Sequence, residues 1–178
     1  MPETTANTPG ERTTVLTTPR LRVTTWLPGD LGALRVLHAD PRVMAHMASG
    51  VETPERTRAR LDTFLREQQT PGWTKWRVED AHGALVGRAG FRRPHRTAHR
   101  ELGFLLAPAL WGAGHATELA RALVDWHEAH PEPGIEPALR AYVFRDNLAS
   151  RKVLERTGFR LLGPDGDDTR QLVYERRQ

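Results

Sequence analysis

Residues 101–130 read "ELGFLLAPALWGAGHATELARALVDWHEAH". The stretch opens as an apolar, strand-like run, passes through Gly112 and Gly114, and continues with an apolar residue at every third or fourth position. That change of period predicts a strand handing over to a helix through a glycine turn. The helix is expected from about Ala113 to His130, where positions 116, 119, 120, 123, 124 and 127 form one face and five of the six are apolar. Such a face packs on a sheet and leaves the helix start at the sheet's edge, with its first amides unpaired. Glycines at 112 and 114 would let a phosphate approach the backbone where a Cβ would collide. A phosphate-bearing ligand is therefore indicated.

Outward from this stretch, strand and helix signals alternate with no internal repeat. "RLRVTTW" (20–26) alternates as a strand, and Asp30 is placed to cap a helix running to about His38,. A short helix is expected in "DPRVMAHMA", and a longer one in "TPERTRARLDTFLREQQ", with Thr53 and Pro54 at its cap and first turn,. Its inner face would carry Leu61, Phe64 and Leu65. "WTKWRVED" and "ALVGRAGFRR" read as strands joined by a hairpin turn, followed by the strand "RELGFLLA",. Beyond the long helix come the strand "ALRAYVF", the helix "LASRKVLERT" ended by Gly158 and Phe159, and the strands "FRLLG" and "RQLVYE",. The expectation is one α/β domain, residues 15–178, with a mixed and mostly antiparallel sheet of about six or seven strands flanked by helices. Residues 1–14, rich in Thr and Pro, are expected to be a disordered tail,.

Composition bounds the function. The chain has 178 residues, long enough to fold without staples, and no cysteine, which excludes disulfides, cysteine nucleophiles and thiolate metal sites,. "MPETTANTPGERTT" has neither a basic start nor an apolar core, so no signal peptide, membrane span or membrane partner is expected, and the cytoplasm is the expected compartment,. The formal charge is +4, and among 26 basic residues only Lys75 and Lys152 are lysines. The arginines are dispersed, with one cluster in the loop "RRPHRTAHR", which argues against a nucleic-acid partner,. His95, His99 and His115 lack helical ligand spacing and an accompanying carboxylate, so no metal is expected,.

Among phosphate loops, a P-loop would need Lys and Ser/Thr directly after its last glycine, and here Gly114 is followed by His115, Ala116 and Thr117,. A dinucleotide fingerprint would need a small residue where Thr117 stands and would usually open the first strand-helix unit. It survives as a weaker alternative.

"LAPALWGAGHATELA", followed about thirty residues later by "RDNLASRKVLERTGF", resembles the GNAT superfamily of acyl-CoA N-acyltransferases, in its branch with the ribosomal-protein N-terminal acetyltransferases. The resemblance runs from "TPRLRV" to "LVYE". It implies acetyl-CoA or another acyl-CoA as co-substrate, its pyrophosphate bound by Trp111, Gly112, Ala113, Gly114, His115 and Ala116, with Thr117 as a hydroxyl donor. Trp111 stands where the superfamily has Gln or Arg. The resemblance further implies that the strand ending at Leu105, Leu106 and Ala107 splays from its neighbour, so that the pantetheine arm pairs with it and a backbone N–H holds the thioester oxygen. Asn147 and Ser150 match the branch's N-x-x-S, placed near the sulfur. Leu154 stands where a tyrosine acid is common.

Transfer to an amine needs a base and an acid near the thioester. Glu101 is the candidate base and Ser150 the candidate acid, with Asn147 beside it. Structural rivals are plain: Asn147 is a good helix cap, Ser150 an ordinary first-turn residue, and Glu101 a carboxylate that could pair with Arg100 or Arg88. Trp73 and Trp76 could wall an acceptor pocket or sit in the core. The acceptor is expected to be a primary amine of a small molecule or protein N-terminus, with a homodimer left open. The alternative without chemistry is an acyl-CoA sensor, which keeps the pyrophosphate loop and lacks proton-transfer groups.

Overall fold

The computed structural model describes residues 11–93 and 98–177. The elements in order are β1 (Thr14–Thr17), β2 (Arg22–Thr24), α1 (Leu31–Ala39), α2 (Pro41–Met44), α3 (Pro54–Glu67), β3 (Lys75–Glu79), β4 (Leu85–Arg92), β5 (Arg100–Leu106), α4 (His115–Ala129), β6 (Leu139–Phe144), α5 (Leu148–Arg156), β7 (Arg160–Asp165) and β8 (Asp168–Arg176). The described strands form one sheet of eight, in the order β1-β2-β3-β4-β5-β6-β8-β7. All neighbours pair antiparallel except β5 and β6. The mixed, mostly antiparallel α/β architecture is the expected one, with more strands than the six or seven anticipated.

Strand alternation sends side chains to two faces, each with its own core. On one face Leu102, Phe104 and Leu106 of β5 and Leu139, Ala141 and Val143 of β6 meet Leu119, Leu123 and Val124 of α4 and Leu154 of α5. On the other, Leu105 meets Trp26 with Leu34 and Leu37 of α1, Val43 and Met44 of α2, and Leu61 and Phe64 of α3.

Local signals explain the helix ends. Thr53 accepts from Arg56 N ahead of Pro54, and Gly158, at φ 87°, ends α5 while Phe159 N returns to Leu154 O at 3.0 Å,. Asp30 departs from expectation. It precedes α1, but its carboxylate accepts from Leu27 N and pairs with Arg12, so it joins the chain's start to the helix rather than capping it. β1 has no counterpart in the sequence-based elements; "TVLT" is four residues long and becomes a strand by pairing with β2. Residues 1–10 of the expected tail, and residues 94–97 of the basic loop with His95, lie outside the described residues.

Candidate active site

β5 and β6 lie side by side for only two residue pairs, Arg100↔Leu139 and Glu101↔Arg140. Beyond Glu101, β5 stays on β4 as far as Gly87↔Leu106, while β6 continues along β8. A wedge therefore opens between them, with its apex at Glu101. Because the two strands run parallel, α4 and α5 both begin at its wide end, the crevice where α/β sheets bind ligands.

Ladder alternation decides which backbone groups face the wedge. Ala107 N–H is taken by Val86 O at 2.7 Å. The amides of Leu105 and Gly103 therefore turn to β4, and those of Phe104 and Leu106 face the opening. Of the expected triplet, Leu106 is thus the residue whose amide can meet a ligand strand, and Phe104, absent from the sequence-based set, is the other. Leu106 O already accepts from Trp111 Nε1 at 2.9 Å, so the half-exposed Trp111 braces the strand end instead of reaching outward.

At the wide end, Gly112 and Gly114 sit at φ 75° and 81°, the left-handed region that suits glycine,. Gly114 occupies the cap position of α4 and has no side chain to cap with, so the amides of His115, Ala116 and Thr117 remain for a ligand; the first helical bond runs from Glu118 N to Gly114 O at 3.0 Å,. A Cβ on Gly112 would meet nothing within 4 Å, and one on Gly114 only Arg20 Nη2 at 3.7 Å. This open, uncapped helix start fits a phosphate. His115 turns its ring back, Nδ1 donating to Leu110 O at 3.1 Å, while Arg20 donates to Ala113 O at 2.8 Å and to Glu118 at 2.7 Å. Neutralising Glu118 keeps an acidic first-turn residue from repelling an anion at the same helix start. A groove of about 630 Å³ beside the loop is lined by Arg20, Gly114, Thr117, Glu118, Arg121 and Arg156 among others.

At the start of α5, Asn147 Oδ1 accepts from Ser150 N at 3.1 Å, a capping bond. Ser150 Oγ makes no hydrogen bond among the described residues and is partly exposed. Leu154 is buried in the core on the α4 face of the sheet. Tyr174 on β8 packs against α5 with its hydroxyl donating to Glu155 and accepting from Arg151.

Glu101 pairs with neither Arg100 nor Arg88. The β4–β5 register sets Arg92 opposite it, and Arg92 Nη2 reaches its carboxylate at 2.7 Å. Arg100 points to the other face and donates to His127 and to His130 O. Arg88 donates to His38 Nε2 at 3.0 Å, and His38 Nδ1 meets Glu52 at 3.0 Å. Burial, and then Arg88, bring the His38 pKa down to about 4. Trp73 and Trp76 are both buried, the first donating to Glu132 and the second packed on Phe91 and Trp126, so neither walls an acceptor pocket. Among the described residues no group of three His, Cys, Asp or Glu could hold a metal, and no helix is long and apolar enough to cross a membrane.

The family model of the acetyltransferase (GNAT) domain matches residues 20–160. The chain belongs to that family. This acetyltransferase is 30% identical over 149 residues to the uncharacterized protein YkkB of Bacillus subtilis, covering 82% of this chain and 84% of the relative. A crystal structure of an acetyltransferase from Agrobacterium tumefaciens superimposes with a TM-score of 0.75 at 30% identity, over 92% of this chain and 94% of the other. RimL, a ribosomal-protein alpha-N-acetyltransferase solved with coenzyme A, shares the fold at a TM-score of 0.76 and 19% identity, over 93% and 98% of the two chains. The activity is acetyl-CoA-dependent acyl transfer.

Proposed function

We propose that the chain moves an acetyl group from acetyl-CoA to a primary amine by direct attack. The observation that carries this reading is the free edge of β5 leading, through the short connection 107–114, to the uncapped start of α4. The pyrophosphate would lie on the amides of His115, Ala116 and Thr117, with Gly112, Ala113 and Gly114 giving it room and the Thr117 hydroxyl beside it. The pantetheine arm would add to the Phe104 and Leu106 edge as a strand does, bringing the thioester to the apex at Glu101. Of the two open-edge amides, the one nearer the apex, Phe104 N–H, suits the thioester oxygen as it gains charge.

On the proton side, Ser150 is the candidate donor to the departing sulfur, held in place by the Asn147 cap. Glu101 is the carboxylate at the apex, and its ion pair with Arg92 would have to loosen for it to act as base. The acceptor is a small-molecule amine or a protein N-terminus, the second in keeping with the acceptor named for RimL.

A panel of amines (a peptide with a free N-terminus, spermidine and a free amino acid), assayed for thiol release from acetyl-CoA and succinyl-CoA, tests the reading. Release with at least one amine is expected, together with CoA binding by calorimetry. Binding without release from any amine would favour the sensor, and no CoA binding would remove the reading altogether.

A further inference from the structure

Lys75 has no part in the assignments so far, yet it reaches the apex of the wedge. It opens β3 on the sheet face covered by α1–α3, in register with Gly90 of β4, which is itself in register with Gly103 of β5. Its Nζ crosses β4 and donates to Gly90 O at 2.9 Å and to Glu101 O at 3.1 Å. The crossing depends on a glycine: a Cβ on residue 103 would stand 2.8 Å from Nζ. Gly103 is the second residue beyond the last β5–β6 pair, so the amine lies where the strands part. Trp26 Nε1 donates to Lys75 O at 2.7 Å and fixes the base of the side chain.

Two acceptors suit one protonation state better than the other. An ammonium carries three N–H groups and no lone pair, whereas a neutral amine has two N–H groups and one lone pair. With two carbonyls as its partners among the described residues, the neutral form is fully paired and its lone pair is left over. Desolvation is the largest influence and disfavours the charge, as do Arg88 and Arg92 on β4; Glu101 on β5 and Glu67 at the end of α3 oppose them,. The outcome is a pKa lowered from 10.5 to about 7. An arginine here could not give up its proton, and this is one of only two lysines in the chain,.

We propose that Lys75, rather than Glu101, takes the proton that the acceptor amine loses, an assignment that rests on the acyl-transfer reading above. The acceptor arrives as an ammonium and passes one proton to the Nζ lone pair, directly or through one water, leaving Lys75 charged. The freed nitrogen lone pair forms the C–N bond at the thioester carbon, and the C–S bond breaks with its electron pair going to sulfur. The surplus proton on the new amide nitrogen ends on sulfur, and Lys75 returns its own proton to solvent. Amide, thiol and one released proton balance the ammonium and thioester consumed. The negative charge of Glu101 stabilises Lys75 while it holds the proton.

With only two lysines, protein labelled with carbon-13 at lysine Cε shows two such signals, and Lys152→Arg assigns them. Lys75 is expected to titrate near 7 and to shift on addition of acetyl-CoA. Titration near 10.5 overturns the proposal, and this measurement needs no variant at position 75. In the second arm, the fastest amine of the panel is assayed against pH. The parent should lose kcat/KM as pH falls through about 7, because protonated Nζ has no lone pair to offer. Lys75→Met should lower kcat/KM by roughly 10²- to 10⁴-fold and abolish that inflection, with CoA affinity within about twofold of the parent. Turnover indifferent to Lys75→Met sinks the assignment of Lys75 alone, whereas thiol release by no amine sinks the acyl-transfer reading beneath it.

Discussion

His38 Nε2 accepts a hydrogen bond from Arg88, so its ring is neutral and carries its proton on Nδ1, facing Glu52,. Its folded pKa, about 4, lies below the ordinary 6.5, so the unfolded chain binds the proton first as pH falls. Stability present above 6.5 is lost on the way down to 4, by about 3 kcal/mol at most for a group this buried. Urea titrations at pH 7.5 and 4.5 should show that loss, and His38→Gln, whose amide takes no proton, should show less of it; equal losses would clear His38. Ser150 offers a kinetic counterpart. If its hydroxyl donates to the departing sulfur, Ser150→Ala should lower kcat roughly tenfold to a hundredfold, at or below the low end for general acids because a thiolate already leaves readily, with CoA affinity unchanged. A parental kcat would return Ser150 to the role of a helix-start residue. At the next turn, Leu154→Tyr overpacks a site that is 2% exposed and should cost about 1–3 kcal/mol, read as a lowered urea midpoint,.

At the scale of elements, the connection from β5 to α4 does two jobs with one backbone. Gly112 and Gly114 take left-handed angles and leave the space before them open, while Arg20, between β1 and β2, ties Ala113 O and Glu118 to the sheet's edge. Gly114→Val should therefore weaken CoA binding strongly, since it strains φ and fills the phosphate path, while far-ultraviolet circular dichroism stays parental. CoA binding that survived this substitution would move the anion site elsewhere. Arg20→Met tests the tie. Exposed ion pairs contribute little to stability, so the melting temperature should shift by only a few degrees, whereas CoA affinity should fall by roughly threefold to tenfold as the charge of Glu118 beside the helix start loses the guanidinium that offsets it,. Unchanged affinity in calorimetry would make the tie purely structural.

For the whole molecule, the wedge is a break in an otherwise continuous eight-stranded sheet, held open because β6 follows β8 and β5 follows β4. A ligand that fills it pairs an edge that is otherwise left to water, and binding to the native state alone stabilises that state by mass action. At a concentration of acetyl-CoA a hundred times its Kd the gain is about 2.7 kcal/mol, which for a chain of this size corresponds to a rise in Tm of roughly 5–10 °C. Differential scanning fluorimetry without a shift at saturating acetyl-CoA would contradict the wedge as its site.

What the sequence determined by itself is what neighbouring residues decide among themselves: the period change through Gly112 and Gly114, the Thr53 and Asn147 caps, the stop at Gly158, and so the alternation of strands and helices and the anion-ready helix start. Nothing local pairs Glu101 with Arg92 rather than Arg100, turns the amides of Phe104 and Leu106 to the wedge, or lays Lys75 across Gly90 and Gly103. Those follow from the register of β3, β4 and β5, in which residues far apart in the chain become neighbours. Asp30 and Trp73 illustrate the same limit, since each suits its local role by type yet is taken by distant partners, Arg12 and Glu132. A side chain's period tells which face it takes, but its partner on that face is fixed only when hydrogen-bonded strands lock their register. The candidate base is therefore a property of the folded sheet, whereas the candidate phosphate loop is a property of the chain.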